Sequence, residues 1–222
     1  LHPFDGLTDT MEDPDWFDFA RQLSFSQNSI YGIPFAGDTQ IMVYRPEIVE
    51  TAPPDWATML TLETALSYPA ADPDSLLTML LYQASGGGLT DEEGNPQLEA
   101  QPLTDVLNFL YQANTIEVIP FWLTKYETDD QAWVAYQEAQ SNLAITWLSR
   151  FLNTELPDSA LANIPTADSI PYTIATGWVW SLISADPERQ ELVAELVEFL
   201  TQSEYLAEWA HAAGYLPPRP SS

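Results

Sequence analysis

Carboxylates dominate the reactive groups of this chain, with 33 Asp plus Glu residues against two histidines and no cysteine. A nucleophilic triad needs a histidine base. His2 is terminal, and His211 sits in a helical stretch without a nucleophile motif. Thiolate chemistry and disulfides are excluded, and the usual metal signatures fail on the same shortage. Acid pairs of the glycosidase kind arise anywhere among so many carboxylates, so pairing singles out none of them. Gly86-Gly87-Gly88 lacks the Lys-Ser/Thr of a phosphate loop and reads as a helix stop. Asp91-Glu92-Glu93-Gly94-Asn95 puts its glycine in the wrong place for a calcium loop and reads as a solvated turn. Recognition chemistry remains. Eight Trp and nine Phe, in a chain that is 12% aromatic, can stack on the flat faces of a guest while polar side chains bond its edges.

The elements that would position these groups alternate between strand and helix. Asp15–Ala20 reads as a helical turn. Ile30–Phe35 and Gln40–Tyr44 read as extended runs joined by a turn at Ala36-Gly37-Asp38-Thr39. Asp55 can cap a helix running to about Thr64, and Ala65–Tyr68 is a short strand. Asp74 can cap Ser75–Ala84, a helix apolar almost all round and therefore buried. Pro102 opens an amphipathic helix that turns Val106, Leu107, Phe109 and Leu110 inward. Asp130–Gln140 is helical, Leu143–Trp147 a strand, and Leu161–Ile164 and Tyr172–Ser184 read as strands. Asp186 at the cap with Pro187 after it starts a helix whose Leu192, Val193, Leu196, Phe199 and Leu200 recur with helical period. Ser203 starts another, ended by Gly214 and Pro217-Pro218. Such alternation predicts an α/β fold.

Bulk properties narrow the partners. The 222 residues suffice for one large domain or two small lobes, and 45% hydrophobic residues support a packed core. Against the carboxylates stand only six Lys plus Arg, giving a formal net charge of −27. That field repels phosphate backbones and anionic lipid, so nucleic acid and membrane surfaces are disfavoured partners. No apolar run reaches the roughly 20 residues of a membrane helix. No charged-then-apolar leader is visible at Leu1.

Several segments carry a resemblance. YGIPFAGDTQIMVYRPEIV (31–49) resembles a strand, ligand-facing turn and strand. Asp55-Trp56 with Ala57–Leu60 resembles the helix start that follows it. Gln83-Ala84-Ser85-Gly86-Gly87 resembles a helix end, and NLAITWLSR (142–150) a strand leading into a ligand loop. Ile164-Pro165 with Tyr172–Ala185, then Asp186–Pro217, resemble the closing strand and helices. In this order and spacing they resemble the extracellular solute-binding proteins, the family that includes the maltose-binding proteins of ABC importers.

The resemblance implies an α/β, periplasmic-binding-protein-like (type II) two-lobed fold whose lobes close by a hinge, with most of the first lobe missing from these residues. Residues 1–37 would be a first-lobe remnant and the first hinge crossing. Residues 38–175 would be the second lobe, and 176–222 the return crossing and C-terminal helices of the first lobe. It implies a non-catalytic, monomeric receptor outside the cytoplasm, tethered through an N-terminal segment. Such a receptor delivers a small solute, a sugar foremost, to ABC permease subunits and uses no cofactor and no metal.

The same resemblance directs attention to particular residues. Asp38 would accept from a sugar hydroxyl in the crossing turn, or else be an exposed turn acid. Trp147 would stack on the ligand or pack in the core, and Arg150 would bond the ligand or pair with an acid. Trp178 and Trp180 share one face of the return strand, as ligand platforms or as packing rings, and Gly177 would let backbone approach the ligand. Asp74 starts the apolar helix near a sugar contact, although the cap role already accounts for it. Trp122 and Tyr126 precede a helix at the lobe surface and are weaker candidates. Three other readings stand beside this one: a domain that keeps the fold without a ligand, a binder of a cationic solute such as a polyamine, and a carbohydrate-active enzyme.

Overall fold

Eighteen prolines keep the elements short. The computed structural model describes residues 1–4 and 8–222. In chain order its elements are α1 (Thr8–Glu12), α2 (Asp18–Ser24), β1 (Phe25–Ser26), β2 (Ser29–Ile30), β3 (Ile33–Tyr44), α3 (Trp56–Met59), β4 (Leu66–Ser67), α4 (Leu76–Ala84) and α5 (Ala100–Thr115). A 3-10 turn (Phe121–Lys125) precedes α6 (Asp129–Gln137), β5 (Leu143–Trp147), α7 (Leu148–Leu152), β6 (Ala160–Ala162), β7 (Ala175–Trp180), α8 (Pro187–Leu200) and α9 (Ser203–Ala213). The chain divides into two packing units. Leu1–Thr39, Leu148–Thr154 and Ala175–Ser222 form the first; Gln40–Trp147 and Glu155–Ile174 form the second.

The second unit is built on a sheet ordered β4-β5-β3-β6, with β4 parallel to β5 and the other pairs antiparallel. Every residue of β5 before Trp147 is buried, as expected of a central strand covered on both faces. Helices α4 and α5 pack on it through Leu77, Leu80, Leu81, Val106 and Phe109, with Trp56 stacked on Phe109 at 4.7 Å between centroids. Arg45, just past β3, locks the sheet to α6. Its guanidinium donates to the Tyr136 and Ser141 carbonyls (2.9 and 3.0 Å) and to Asp158 (3.1 Å), and lies 4.3 Å over the Tyr136 ring. Burial pushes the Tyr68 phenol in this core up to about 12.

In the first unit, Ile33–Thr39 of β3 pairs antiparallel with β7, and the buried core comprises Phe4, Met11, Trp16, Ala20, Ile30, Ile33, Leu182 and Val197 among the described residues. Arg219 closes the C-terminus onto this core, 4.2 Å over the Trp16 ring and within 3.6 Å of the Asp13 and Asp15 carboxylates.

The structure corrects five expectations about local form. Ala36–Thr39 is no turn: β3 runs unbroken because Gly37 and Asp38 pair with Gly177 and Thr176. Helix α3 stops at Met59, far short of Thr64, although Asp55 caps it by accepting from the Thr58 amide at 2.7 Å. Leu107 on α5 faces outward, while Ala113 takes the inward place. Asp74 does not cap α4. Asp72 does, its two carboxylate oxygens accepting from the Asp74 and Leu76 amides (3.0 and 3.1 Å), with Ser75 forced into the left-handed region at φ 49°. On α8 the inward residues are Val193, Ala194 and Val197, so Leu192, Leu196 and Phe199 face solvent, each more than half exposed. Helix α8 has a second apolar stripe, and hydrophobic period alone does not say which of two stripes is buried.

The unit boundaries also differ from those read in the sequence. The change falls at Thr39/Gln40 and Ile174/Ala175, and Leu148–Thr154 groups with the first unit. The reason is local bonding: Ser149 binds Asp38, and Asn153 Nδ2 donates to the Ala213 carbonyl at 3.2 Å.

Candidate functional site

In the second unit, β3 and β5 place Gln40 directly opposite Trp147. Both residues line a cavity of about 280 Å³. Tyr68 and Pro69, after β4, form part of its wall, and Ile145, Leu76 and Leu77 give it an apolar floor. Asp72, Asp74, Glu127 and Asp129 bring carboxylates to its surface. The loops that carry them are fixed by the backbone. The Ala71 amide donates to the Tyr126 carbonyl at 2.8 Å, tying the two acidic segments together. Gln131 Oε1 accepts from the Glu127 amide at 2.7 Å, holding that residue at the start of α6.

The polar groups of this cavity are unequally occupied. Asp72 spends both oxygens on the α4 cap, and Asp129 accepts from Thr146 Oγ1 at 3.0 Å. Asp74 is exposed, and with the cap assigned to Asp72 its carboxylate no longer has a structural explanation. Gln40 is the informative residue. Its backbone is fully used, donating to the Ile174 carbonyl (3.2 Å) and accepting from Thr173 Oγ1 (2.6 Å). Its side chain is buried at 7% exposure, yet its Oε1 finds no donor among the described residues. An unmet buried acceptor costs about 1–3 kcal/mol, so native structures keep few of them. Burial moves the ionisation of the Tyr68 phenol up to about 12, so it stays a neutral hydroxyl well into the alkaline range.

Asp38, Arg150, Gly177, Trp178 and Trp180 lie in the first unit. Asp38 is 4% exposed, and its carboxylate accepts from the amides of Thr39 (2.9 Å) and Ser149 (3.0 Å) and from the Ser149 hydroxyl. It holds the start of α7 and is neither in a turn nor exposed. Arg150 is half-buried on that helix. Gly177 is required by its own strand partner: a Cβ there would lie 2.5 Å from the Ala36 carbonyl oxygen and 2.9 Å from Leu23. Close pairing of β3 and β7, and no guest, accounts for that glycine.

Trp178 and Trp180 project from the same face of β7, 43% and 39% exposed. They belong to a chain of rings the sequence reading did not assemble. Trp180 stacks on Phe35 at 4.5 Å, Phe35 meets the edge of Trp209 at 5.4 Å, Trp209 stacks on Tyr215 at 6.0 Å, and Tyr215 meets Trp178 at 4.8 Å. Phe35 lies on β3, Trp209 on α9 and Tyr215 just beyond that helix, so only the fold joins them. Gly214 makes the join possible. At φ 68° it ends α9 in the left-handed region and turns Tyr215 back toward Trp209. Beside Tyr215 lies a second cavity of about 380 Å³, bounded by Leu152, Asn153, Ala210 and His211.

Thus the structure brings Asp74 and Trp147 to one cavity, and Trp178 and Trp180 to one aromatic face. Sequence reasoning missed Gln40, Tyr68 and Glu127, since nothing in their spacing distinguishes them before the sheet is assembled. Trp122 and Tyr126 meet edge to face at 5.5 Å and pack against the second unit's core. Among the described residues no three His, Asp or Glu side chains converge as a metal site, and no helix is long and apolar enough to cross a membrane.

Comparisons with known proteins give a family and a fold. A family model described as bacterial extracellular solute-binding protein matches residues 1–222. No curated protein matches the chain. Among solved structures, the maltose-bound MalE3 protein of T. maritima superposes with a TM-score of 0.81 at 19% identity, over 100% of this chain and 63% of that one. The sugar-binding protein MalE of Xanthomonas citri gives 0.81 at 18% identity, again over 100% and 63%. A solute-binding protein of Thermotoga lettingae bound to α-D-tagatose gives 0.74 at 18% identity, over 99% and 62%. The fold is therefore the α/β, periplasmic-binding-protein-like type II fold, and the chain spans about three-fifths of the length of these structures.

Proposed function

This chain belongs to the bacterial extracellular solute-binding proteins, and from that premise we propose that it captures a carbohydrate through the Gln40–Trp147 cavity of its second unit. The observation that carries the reading is the pairing of an aromatic wall with an unsatisfied acceptor. Trp147 and Tyr68 offer ring surface, and Gln40 Oε1 lacks the donor that a hydroxyl would bring. Sugars present both surfaces at once, apolar C–H faces and a rim of hydroxyl donors. Solved structures of the same fold are bound to maltose and to α-D-tagatose.

The receptor works by binding alone. It acts outside the cytoplasm as a monomer, with an N-terminal segment beyond these residues as its tether, and passes its solute to the permease of an ABC importer. Neither a cofactor nor a metal takes part. The exposed Trp178 and Trp180 rings are a further place for a sugar face to stack.

Isothermal titration with maltose, maltotriose, tagatose and β-linked disaccharides, on the wild type and on Trp147→Ala, tests the reading. At least one sugar binds, and removal of the ring weakens it about tenfold, since a ring contact and its burial together exceed ~1.4 kcal/mol. Chromatography of the same mixtures finds the sugar unchanged. Undiminished affinity in Trp147→Ala would remove this cavity as the site, and hydrolysed product would remove the receptor reading.

A further inference from the structure

The polar surface of the Gln40–Trp147 cavity is one-sided. Its side-chain groups include four carboxylates and an amide oxygen, and no Lys or Arg stands among its lining residues. Asp72 and Asp129 have donors from the protein. Asp74 and Glu127 accept no side-chain hydrogen bond from the described residues, and neither is needed for the α4 cap or the α6 start. Gln40 supplies the independent sign that something is missing. It is more than nine-tenths buried, lines the same cavity, and keeps an acceptor without a donor. Its terminal amide torsion is soft, so a guest can draw that oxygen toward itself at little cost.

From this arrangement we infer that the cavity prefers a sugar carrying a protonated amine, with Asp74 and Glu127 flanking the ammonium and Trp147 offering it a ring face; this rests on the cavity being the solute site. The argument is one of compensation. A neutral hydroxyl donates one hydrogen bond and leaves the carboxylates charged as water is displaced. An ammonium donates up to three and cancels charge as well. An aromatic face adds a cation–π attraction that a neutral sugar lacks. A metal ion would neutralise the acids too, but the described carboxylates and histidines do not converge three at a time. An amino sugar asks for no such convergence, because its ammonium and its hydroxyls donate from different points of the ring.

The test compares two disaccharides with the same β-1,4 ring framework, the glucosamine dimer with free amines and cellobiose, by isothermal titration at neutral pH and raised salt. Raised salt screens the attraction of any amine to a chain of net charge −27. The double variant Asp74→Asn/Glu127→Gln is set against a charge-matched control, Glu92→Gln/Glu93→Gln, in the exposed turn of the same unit. The amine dimer binds about tenfold tighter than cellobiose, the preference vanishes in Asp74→Asn/Glu127→Gln, and the control keeps it. Equal affinities for the two dimers overturn amine selection alone and leave the carbohydrate reading standing. A preference that falls equally in the control also overturns it, because the general field would then be the cause. Spermidine is the third probe: if it binds in an Asp74- and Glu127-dependent way while no sugar does, amine selection stands and the carbohydrate reading fails. Absence of binding by all three overturns amine selection, and the carbohydrate reading falls with it only if maltose, maltotriose and tagatose fail as well.

Discussion

The two units solve the same problem with different resources. The second surrounds a central sheet with α4 and α5, and seals Leu80, Tyr82, Val106 and Leu143 completely. The first has a smaller described core, and α8 buries Val197 while leaving Leu192, Leu196 and Phe199 at 66%, 54% and 57% exposure. Ile183 before that helix is 81% exposed. The difference teaches where precision can reside. A cavity wall keeps its geometry when its strands are buried on both faces, as Gln40 and Trp147 are held by β3 and β5. The aromatic face of the first unit depends instead on ring packing at half-exposed positions.

The largest effect that would sharpen this contrast is a core truncation. Leu80→Ala is expected to cost about 2–5 kcal/mol in urea unfolding, because α4 cannot collapse into the void. Leu196→Ser on α8 would leave the midpoint within ~0.5 kcal/mol, and a large loss there would show that the outer stripe is covered in solution.

Next in size is a pH effect confined to the second unit. The folded Tyr68 phenol titrates near 12 and the unfolded one near 10.0. The stabilisation is complete below the unfolded value and is lost as pH rises from there through the folded value. The loss amounts to roughly 2–3 kcal/mol if the shift is fully expressed. Tyr68→Phe lessens this alkaline slope and leaves the part due to Tyr136, whose phenol burial also raises; an unchanged slope would show that the Tyr68 phenol is not buried as described.

The smallest effect concerns the α4 cap. Asp72→Ala costs about 1 kcal/mol of stability, whereas Asp74→Ala costs almost nothing. The reverse ranking would restore the cap to Asp74 and withdraw it from the cavity.

Much of the fold was legible in the residues, and the reasons are local. Strand β5 reads directly from an apolar run that ends at Trp147, and Asp186-Pro187 marks the start of α8 because cap and ring chemistry act within one turn. Asp38 was misplaced because Gly37 beside it signals a turn. Its place in a continuous strand comes from Gly177 and Thr176, more than a hundred residues away. The cap on α4 was misassigned by two residues, since Asp72 and Asp74 are equivalent in type and only the left-handed Ser75 decides between them. Gln40 gave no signal at all. A glutamine on a strand is unremarked until its neighbours are known and its oxygen is seen to lack a donor. The ring chain from Trp180 to Trp178 joins three distant segments, so spacing in the sequence could not reveal it.

Hydrogen–deuterium exchange of the full chain, with and without a sugar found to bind by titration, locates the guest most directly. Protection is expected in the amides of 68–77 and 127–129 and along β5 up to Trp147. Protection that leaves those segments unchanged and appears elsewhere would contradict the account of the Gln40–Trp147 cavity as the solute site.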